Sequence, residues 1–272
     1  MITASSLFLW EYGLEDIADI LLEAGLHGVE FWLETPCYWR KRERGKPELR
    51  DFLSNFRTAT FHAPILDLNP SSYNKRVRRA ALEETLWSLE VAAEMGVEIV
   101  TIHPGRRTVK RRPLLEDWER FREYLAESLE VAESLGVTLA LENPLPRIQA
   151  MCARPGEMEE TLKRFPGLAF TFDLAHALSI PGLTQEFLDR LTPINFHVSC
   201  IYQGKPHYPL HMLSHPAREN VEAVKSILKR YKIKTRGNLT IEINDAVLPV
   251  RPDREEKIGL LQEEKCYLES LL

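Results

Sequence analysis

The chain has little that would divide it, staple it or place it in a membrane. Its 272 residues hold only four cysteines, Cys37, Cys152, Cys200 and Cys266, far apart and without a CxxC pair. That spacing excludes a disulfide scaffold and a structural zinc knuckle, and reduced thiols are expected. No run approaches the ~18 consecutive apolar residues needed to span a bilayer. The opening MITASSLFLWEYG lacks a basic stretch ahead of its apolar one and soon reaches Glu11, so a cytoplasmic protein is expected. No low-complexity segment or linker interrupts the chain, and 1–272 reads as one domain. No GxGxxG follows the first apolar run and no Walker sequence occurs, which argues against an open nucleotide-binding sheet. Excess charge is also small: the formal net charge is -5 and the pI about 6.0, giving no overall pull toward nucleic acid.

What is present is alternation. Short β-branched runs predict strands at Ile2–Ser5, Gly28–Trp32, Thr58–His62, Ile99–His103, Thr138–Glu142, Ala169–Asp173, Ile194–Val198 and Leu239–Ile243. Between them, apolar residues at helical spacing predict helices at Leu14–Ala24, Asn74–Met95, Asp117–Leu135, Pro155–Arg164, Asn220–Tyr231 and Arg254–Leu271, with shorter ones at Glu48–Phe56 and Gln185–Leu191. Glycine closes several helices just before the next strand, in EAGLHGVEF, EMGVEIVTI and SLGVTLALE. Helix and strand in strict turn call for a parallel sheet with crossover helices, and eight such units make a closed (β/α)8 TIM barrel.

In such a barrel the C-terminal strand ends share one mouth. Read in order, those ends carry Glu30, His62, His103, Glu142, Asp173, His197 and Glu242. Any one of them alone reads as a hydrogen-bonded core residue. Together they do not, because an unpaired buried charge costs several kcal/mol and clustered carboxylates repel. A divalent cation lets Glu142, Asp173 and Glu242 stay ionised side by side, with His197 as a neutral ligand. Three ends run into His62-Ala-Pro, His103-Pro-Gly and Glu142-Asn-Pro, which turn the backbone out of the strand.

These ends, with FHAP, TIHPG, LEN, FDLAH, NFHVS and TIEI around them, resemble the xylose isomerase-like TIM-barrel superfamily, which includes sugar phosphate isomerases and epimerases and endonuclease IV of AP endonuclease family 2. The resemblance implies that Glu142, Asp173, His197 and Glu242 bind one metal, Mn²⁺ or Zn²⁺. It implies for the endonuclease branch that His62 and His103, with Glu142 bridging, hold a second. Two activities fit. An isomerase or epimerase would hold a sugar, sugar phosphate or related polyhydroxy substrate on one ion while Glu142 and Glu242 move a proton through an enediolate. An endonuclease IV-like enzyme would use several Zn²⁺ ions to cleave a phosphodiester in abasic DNA. A non-catalytic ligand-binding barrel is a further alternative.

The third zinc site of the endonucleases separates the two activities. Their pattern matches His176 here, but their Asp-x-His pair reads Lys205-Pro-His207, and a charged ammonium cannot ligate. The isomerase reading is therefore preferred, with His207 and His211 as further residues of the mouth and Glu30 a further metal or substrate contact. Basic runs at Arg40–Lys46 and Arg106–Arg112 follow the second and fourth strands, and Arg40, Arg106 and Arg107 are expected to meet an anionic substrate. Trp32, Tyr38 and Trp39 are expected to stack on a sugar or to pack over the rim.

Overall fold

Alternation along the strands becomes a ring. The computed structural model describes residues 1–213, 222–227, 229 and 238–271. Its strands are β1 (Ile2–Ser5), β2 (Gly28–Trp32), β3 (Thr58–His62), β4 (Ile99–Ile102), β5 (Thr138–Glu142), β6 (Ala169–Asp173), β7 (Asn195–Val198), the antiparallel pair β8 (Cys200–Tyr202) and β9 (Lys205–Tyr208), and β10 (Leu239–Ile241). Eight of them form a closed parallel barrel in the order β1-β10-β7-β6-β5-β4-β3-β2, so the (β/α)8 barrel expected from the alternation is the fold. β4 and β10 end one and two residues earlier than expected, which places His103 and Glu242 just beyond their strands.

The helices are α1 (Leu14–Glu23), α2 (Pro36–Trp39), α3 (Lys46–Ser54), α4 (Lys75–Met95), α5 (Leu115–Leu135), α6 (Pro155–Arg164), α7 (Leu174–Ala177), α8 (Leu183–Arg190), α9 (222–227) and α10 (Arg254–Ser270). Of the helix expected at Asn220–Tyr231, only 222–227 and 229 fall among the described residues, and they are helical. α4 and α5 end on Gly96 and Gly136 at φ +72° and +69°. Those left-handed caps let the chain enter the next strand within two or three residues.

Alternation also sorts the side chains. One face of the strands carries Val29, Phe31, Phe61, Leu139, Phe170 and Phe196, all buried, among the apolar residues between sheet and helices. The other face fills the lumen, and it is polar rather than the packed Val/Ile/Leu of many barrels. Thr101 and Thr171, on β4 and β6, hydrogen bond across the lumen at 3.0 Å. Glu30 on β2 accepts from Thr60 Oγ1 at 3.1 Å and from Asn195 Nδ2 at 3.0 Å. Every polar group removed from water must find a partner, and these find one another. The lumen is thus a polar column with the strand-end acids and imidazoles at its top.

Candidate metal centre

Glu142 at the end of β5 is the hub. Its carboxylate lies 3.4 Å from His62 Nε2, 3.2 Å from His103 Nε2, 3.3 Å from His176 Nδ1 and 3.3 Å from His197 Nδ1. His197 Nδ1 is also 3.1 Å from Glu242. Asp173 stands in register beside His197 on the neighbouring strand. Among the described residues, three groups result in which one donor atom per residue lies within 4.8 Å of the others: His62, His103 and Glu142; Glu142, Asp173, His197 and Glu242; and Asp173, His176 and His207.

The donor chemistry fits a divalent ion. Among the described residues, Asp173 Oδ2, Glu242 Oε2 and His197 Nδ1 are buried without a hydrogen-bond partner, a state that costs free energy unless something else satisfies them. His62 Nδ1 sits 2.8 Å from the Ala63 carbonyl, which can only accept, so Nδ1 carries the proton. Neutral His62 therefore turns the Nε2 lone pair toward the Glu142 carboxylate. His197 Nε2 lies 2.8 Å from Glu30 Oε1 as a close ion-pair contact, and Nδ1 faces Glu142 and Glu242. Lone pairs confronting carboxylates need a positive charge between them.

Without an ion, protons supply that charge. Burial opposes charge on His197, yet Glu242, Glu30 and Glu142 outweigh it and hold its pKa well above the usual value. For His176 burial again works downward, and Asp173 with Glu142 lifts it to about 9. Burial raises Asp173 to about 6 against the pull of His176 and His207, while Glu142 stays well below its usual range because the fields of His103 and His197 overcome its burial.

Neighbouring residues hold the donors in place. Asn143, whose Glu142-Asn pair was read only as a motif, clamps the end of β6. Its Oδ1 accepts the Asp173 N–H at 2.8 Å, its Nδ2 donates to the Asp173 carbonyl at 2.9 Å, and its own carbonyl takes the His176 Nδ1 proton at 2.8 Å. Asp173 also caps α7, accepting the His176 N–H at 2.6 Å. Trp32 stacks on His62 with ring centroids 4.0 Å apart. Glu34, not singled out from sequence, accepts the N–H groups of Ile65 and Leu66 and so fixes the loop after His62. Gly105 lets the loop after β4 press against α4's approach: a Cβ there would fall 1.9 Å from Ser71 Oγ.

Several expected placements need correction. Glu30 is in none of the three groups; wholly buried, it backs His197 from below instead of joining the ring of donors. His211 is drawn away from the mouth by Glu264, 2.6 Å from its Nδ1. Lys205 is exposed on the β8–β9 hairpin and outside every group, so it does not intrude on the third cluster, where Asp173 supplies the carboxylate the sequence pattern lacked. Arg40 is absent from the mouth, and the run around it is spent on α4: Arg42 pairs with Glu84 and lies over Trp39 and Trp87, and Lys46 pairs with Glu94. Tyr38 is fully buried beside Trp87 and does not face a ligand, while Trp39 packs edge-on against Trp87 with Arg42 over its ring. Arg107 turns to the Arg112 carbonyl and toward Asp117. Arg106 does line the mouth.

Above the donors opens a cavity of about 600 Å³ reached by His103, Glu142, His176, His207 and Glu242. Apolar residues of the β3 and β5 loops, Pro64, Ile65, Leu66, Pro144 and Leu145, wall it. Fold and site together define a parallel barrel with an acid–imidazole centre at the strand C-termini. The chain belongs to the xylose isomerase-like TIM barrel family, matched over residues 18–244. It is 35% identical over its full length, and 99% of the other's, to the uncharacterized protein MJ1188 of Methanocaldococcus jannaschii. Among solved structures it is similar to a D-tagatose 3-epimerase-like protein, with TM-score 0.76 and 23% identity over 99% of this chain and 98% of that one. It also resembles D-psicose 3-epimerase of Clostridium cellulolyticum H10 bound to D-tagatose, with TM-score 0.74 and 16% identity over 100% and 99%. Those two likenesses are of fold.

Proposed function

We propose that the protein is a metal-dependent isomerase or epimerase of a sugar, sugar phosphate or related polyhydroxy compound. The observation that carries this reading is the set of buried atoms Asp173 Oδ2, Glu242 Oε2 and His197 Nδ1, without a hydrogen-bond partner among the described residues, gathered around Glu142 and Glu242, which line a small-molecule cavity. Glu142, Asp173, His197 and Glu242 would hold one divalent ion, Mn²⁺ or Zn²⁺, and His62 with His103 and Glu142 have the chemistry for a second. When bound, the ion polarises a carbonyl and lowers the pKa of the neighbouring C–H.

The chain's own groups do the rest. Glu142 and Glu242 are the carboxylates that reach both the donor ring and the cavity, and they serve as the acid–base pair, one removing the proton beside the carbonyl and the other returning one. Glu30 keeps His197 turned toward the centre. The apolar loops exclude water from the enediolate stage. One solved structure whose fold this chain shares is named a D-psicose 3-epimerase with D-tagatose, a ketose, which supports the choice.

Exchange of a sugar's C–H proton with solvent deuterium tests it. A metal-loaded sample should wash deuterium into at least one ketose or ketose phosphate, and a chelated sample should not. Absence of exchange across such a screen contradicts the reading. One observation favours a second reading, zinc-dependent cleavage of abasic DNA: three donor groups, not one, surround Glu142 and Asp173. Cleavage of an abasic-site duplex by zinc-loaded protein, with no sugar exchange, would decide for it.

A further inference from the structure

Beside the mouth lies a second cleft of about 510 Å³ between the loop leading into α5 and the start of α6. It shares Arg147 and Ala150 with the mouth cavity, so the two adjoin. Arg112, Arg147 and Arg154 line it, from three separate segments, together with Trp118, Pro113 and Glu157. Most of the chain's arginines near acids are already engaged: Arg42 with Glu84, Arg190 with Glu159, Arg254 with Glu23. Arg112 and Arg147 form no ion pair among the described residues. Arg154 feels the field of Glu157, the only acid on the cleft wall among the described residues, and forms no ion pair among them.

The arginines are held on a braced frame. Arg107 N–H donates to the Gln149 carbonyl at 2.9 Å and Met151 N–H to the Gly105 carbonyl at 3.2 Å, and Arg106 bridges Ala150. These bonds stitch the loop after β4 to the loop after β5. Arg107 Nη1 then fixes the Arg112 carbonyl at 2.8 Å. The three side chains are exposed, so water and salt screen much of their mutual repulsion, and an entering anion offsets what remains. Guanidinium groups grip phosphate through paired N–H donors, and the Trp118 and Pro113 walls suit a carbon stem.

We propose that this cleft, Arg112, Arg147 and Arg154, is a phosphate-binding site for the far end of the substrate. Resting on the proposed function for the reacting end only, it makes the substrate a phosphorylated polyhydroxy compound: its carbonyl end lies over Glu142 and Glu242, and its phosphate passes Arg147 into the side cleft. A hollow whose described lining holds one acid, Glu157, suits one terminal phosphate better than a polymer backbone.

The test is calorimetric titration of the metal-free chain, in chelator, with glycerol 3-phosphate, using glycerol as the neutral control. Saturable binding of the phosphate ester and none of glycerol is expected. Arg147→Met, and Arg112→Met combined with Arg154→Met, should each weaken it by about tenfold or more, with Arg→Lys at the same positions in between. Unfolding curves matching the wild type establish that the variants fold. No saturable binding, or equal binding by wild type and variants, overturns the proposal. So does an abasic DNA duplex that displaces the ester at far lower concentration and loses affinity in the same variants, since the site then serves a nucleic-acid backbone. Because no metal is present, the outcome is independent of whether Glu142 and Glu242 move protons; phosphate binding without sugar exchange would sink the proposed reaction and leave the cleft standing.

Discussion

His197 shows how one side chain is made to serve the centre. It is wholly buried, with Glu30 2.8 Å from Nε2 and with Glu142 and Glu242 near Nδ1. A carboxylate on the far nitrogen fixes ring and tautomer and makes the near nitrogen a better donor. Glu30→Gln keeps the size and the hydrogen bonds of Thr60 and Asn195 within reach but removes that charge. Metal affinity should fall about 10- to 100-fold, read by competition with a chromogenic chelator. Glu242→Gln has a different signature: it should abolish C–H exchange, a drop of at least about 10²-fold, while the ion is largely retained on the other three donors. At this scale the sequence was legible where a strand's own period ends on an acid or imidazole, as at His62, Glu142 and Asp173. Asn143 and Glu34 were not, because their work is done across chain turns that only closure of the barrel brings together.

The β8–β9 hairpin is the element that the helix–strand alternation hides. Its strands are three and four residues long, too short for a periodic signal, and they interrupt the order of helix after strand. The turn Tyr202-Gln-Gly-Lys205 did carry a cue. Gln203 at φ +50° and Gly204 at φ +76° form the two-residue turn with left-handed backbone that suits the twist of paired strands, and glycine is its usual second residue. The hairpin delivers His207 to within 4.0 Å of Asp173 and 3.6 Å of Glu242. Gly204→Val places a β-branched side chain at positive φ, costing about 1–2 kcal/mol locally. The variant should load the group around Glu142 and Glu242 normally and lose any ion held by Asp173, His176 and His207. Elemental analysis of wild type and variant after zinc loading checks this. His211, also expected at the mouth, anchors the same segment instead: its N–H and that of Leu210 both donate to the buried Glu264 of α10.

Across the whole molecule, α10 closes the ring as well as covering it. Lys257 is fully buried, its ammonium bonded to the Phe8 carbonyl at 2.6 Å, to Glu11 at 2.8 Å and to Asp245 at 3.0 Å. It joins the loops after β1 and β10, the first and last strands of the barrel. Lys257→Met leaves the buried Phe8 carbonyl without its donor and leaves Glu11 and Asp245 with only the exposed Arg251 between them, and chemical unfolding should show a loss of about 1–3 kcal/mol with little change in metal content. Conversely, an ion that binds only the folded chain should stabilise it, by about 2.7 kcal/mol at a hundredfold excess over Kd, seen as a higher Tm that a chelator reverses. Barrel closure was legible because eight strands alternate with helices; the polar lumen was not, since nothing in Thr60, Thr101 or Thr171 tells from the chain alone that these faces meet one another and not solvent.

At the centre of the barrel mouth, acids and imidazoles from separate strands would share a cation. Titration of the metal-free chain with Mn²⁺ or Zn²⁺, followed calorimetrically, tests that most directly. Saturable uptake of at least one ion per chain, greatly weakened in Asp173→Asn, is the predicted result. A wild-type chain that takes up no ion at millimolar concentration, or an Asp173→Asn chain that takes it up equally well, would contradict it.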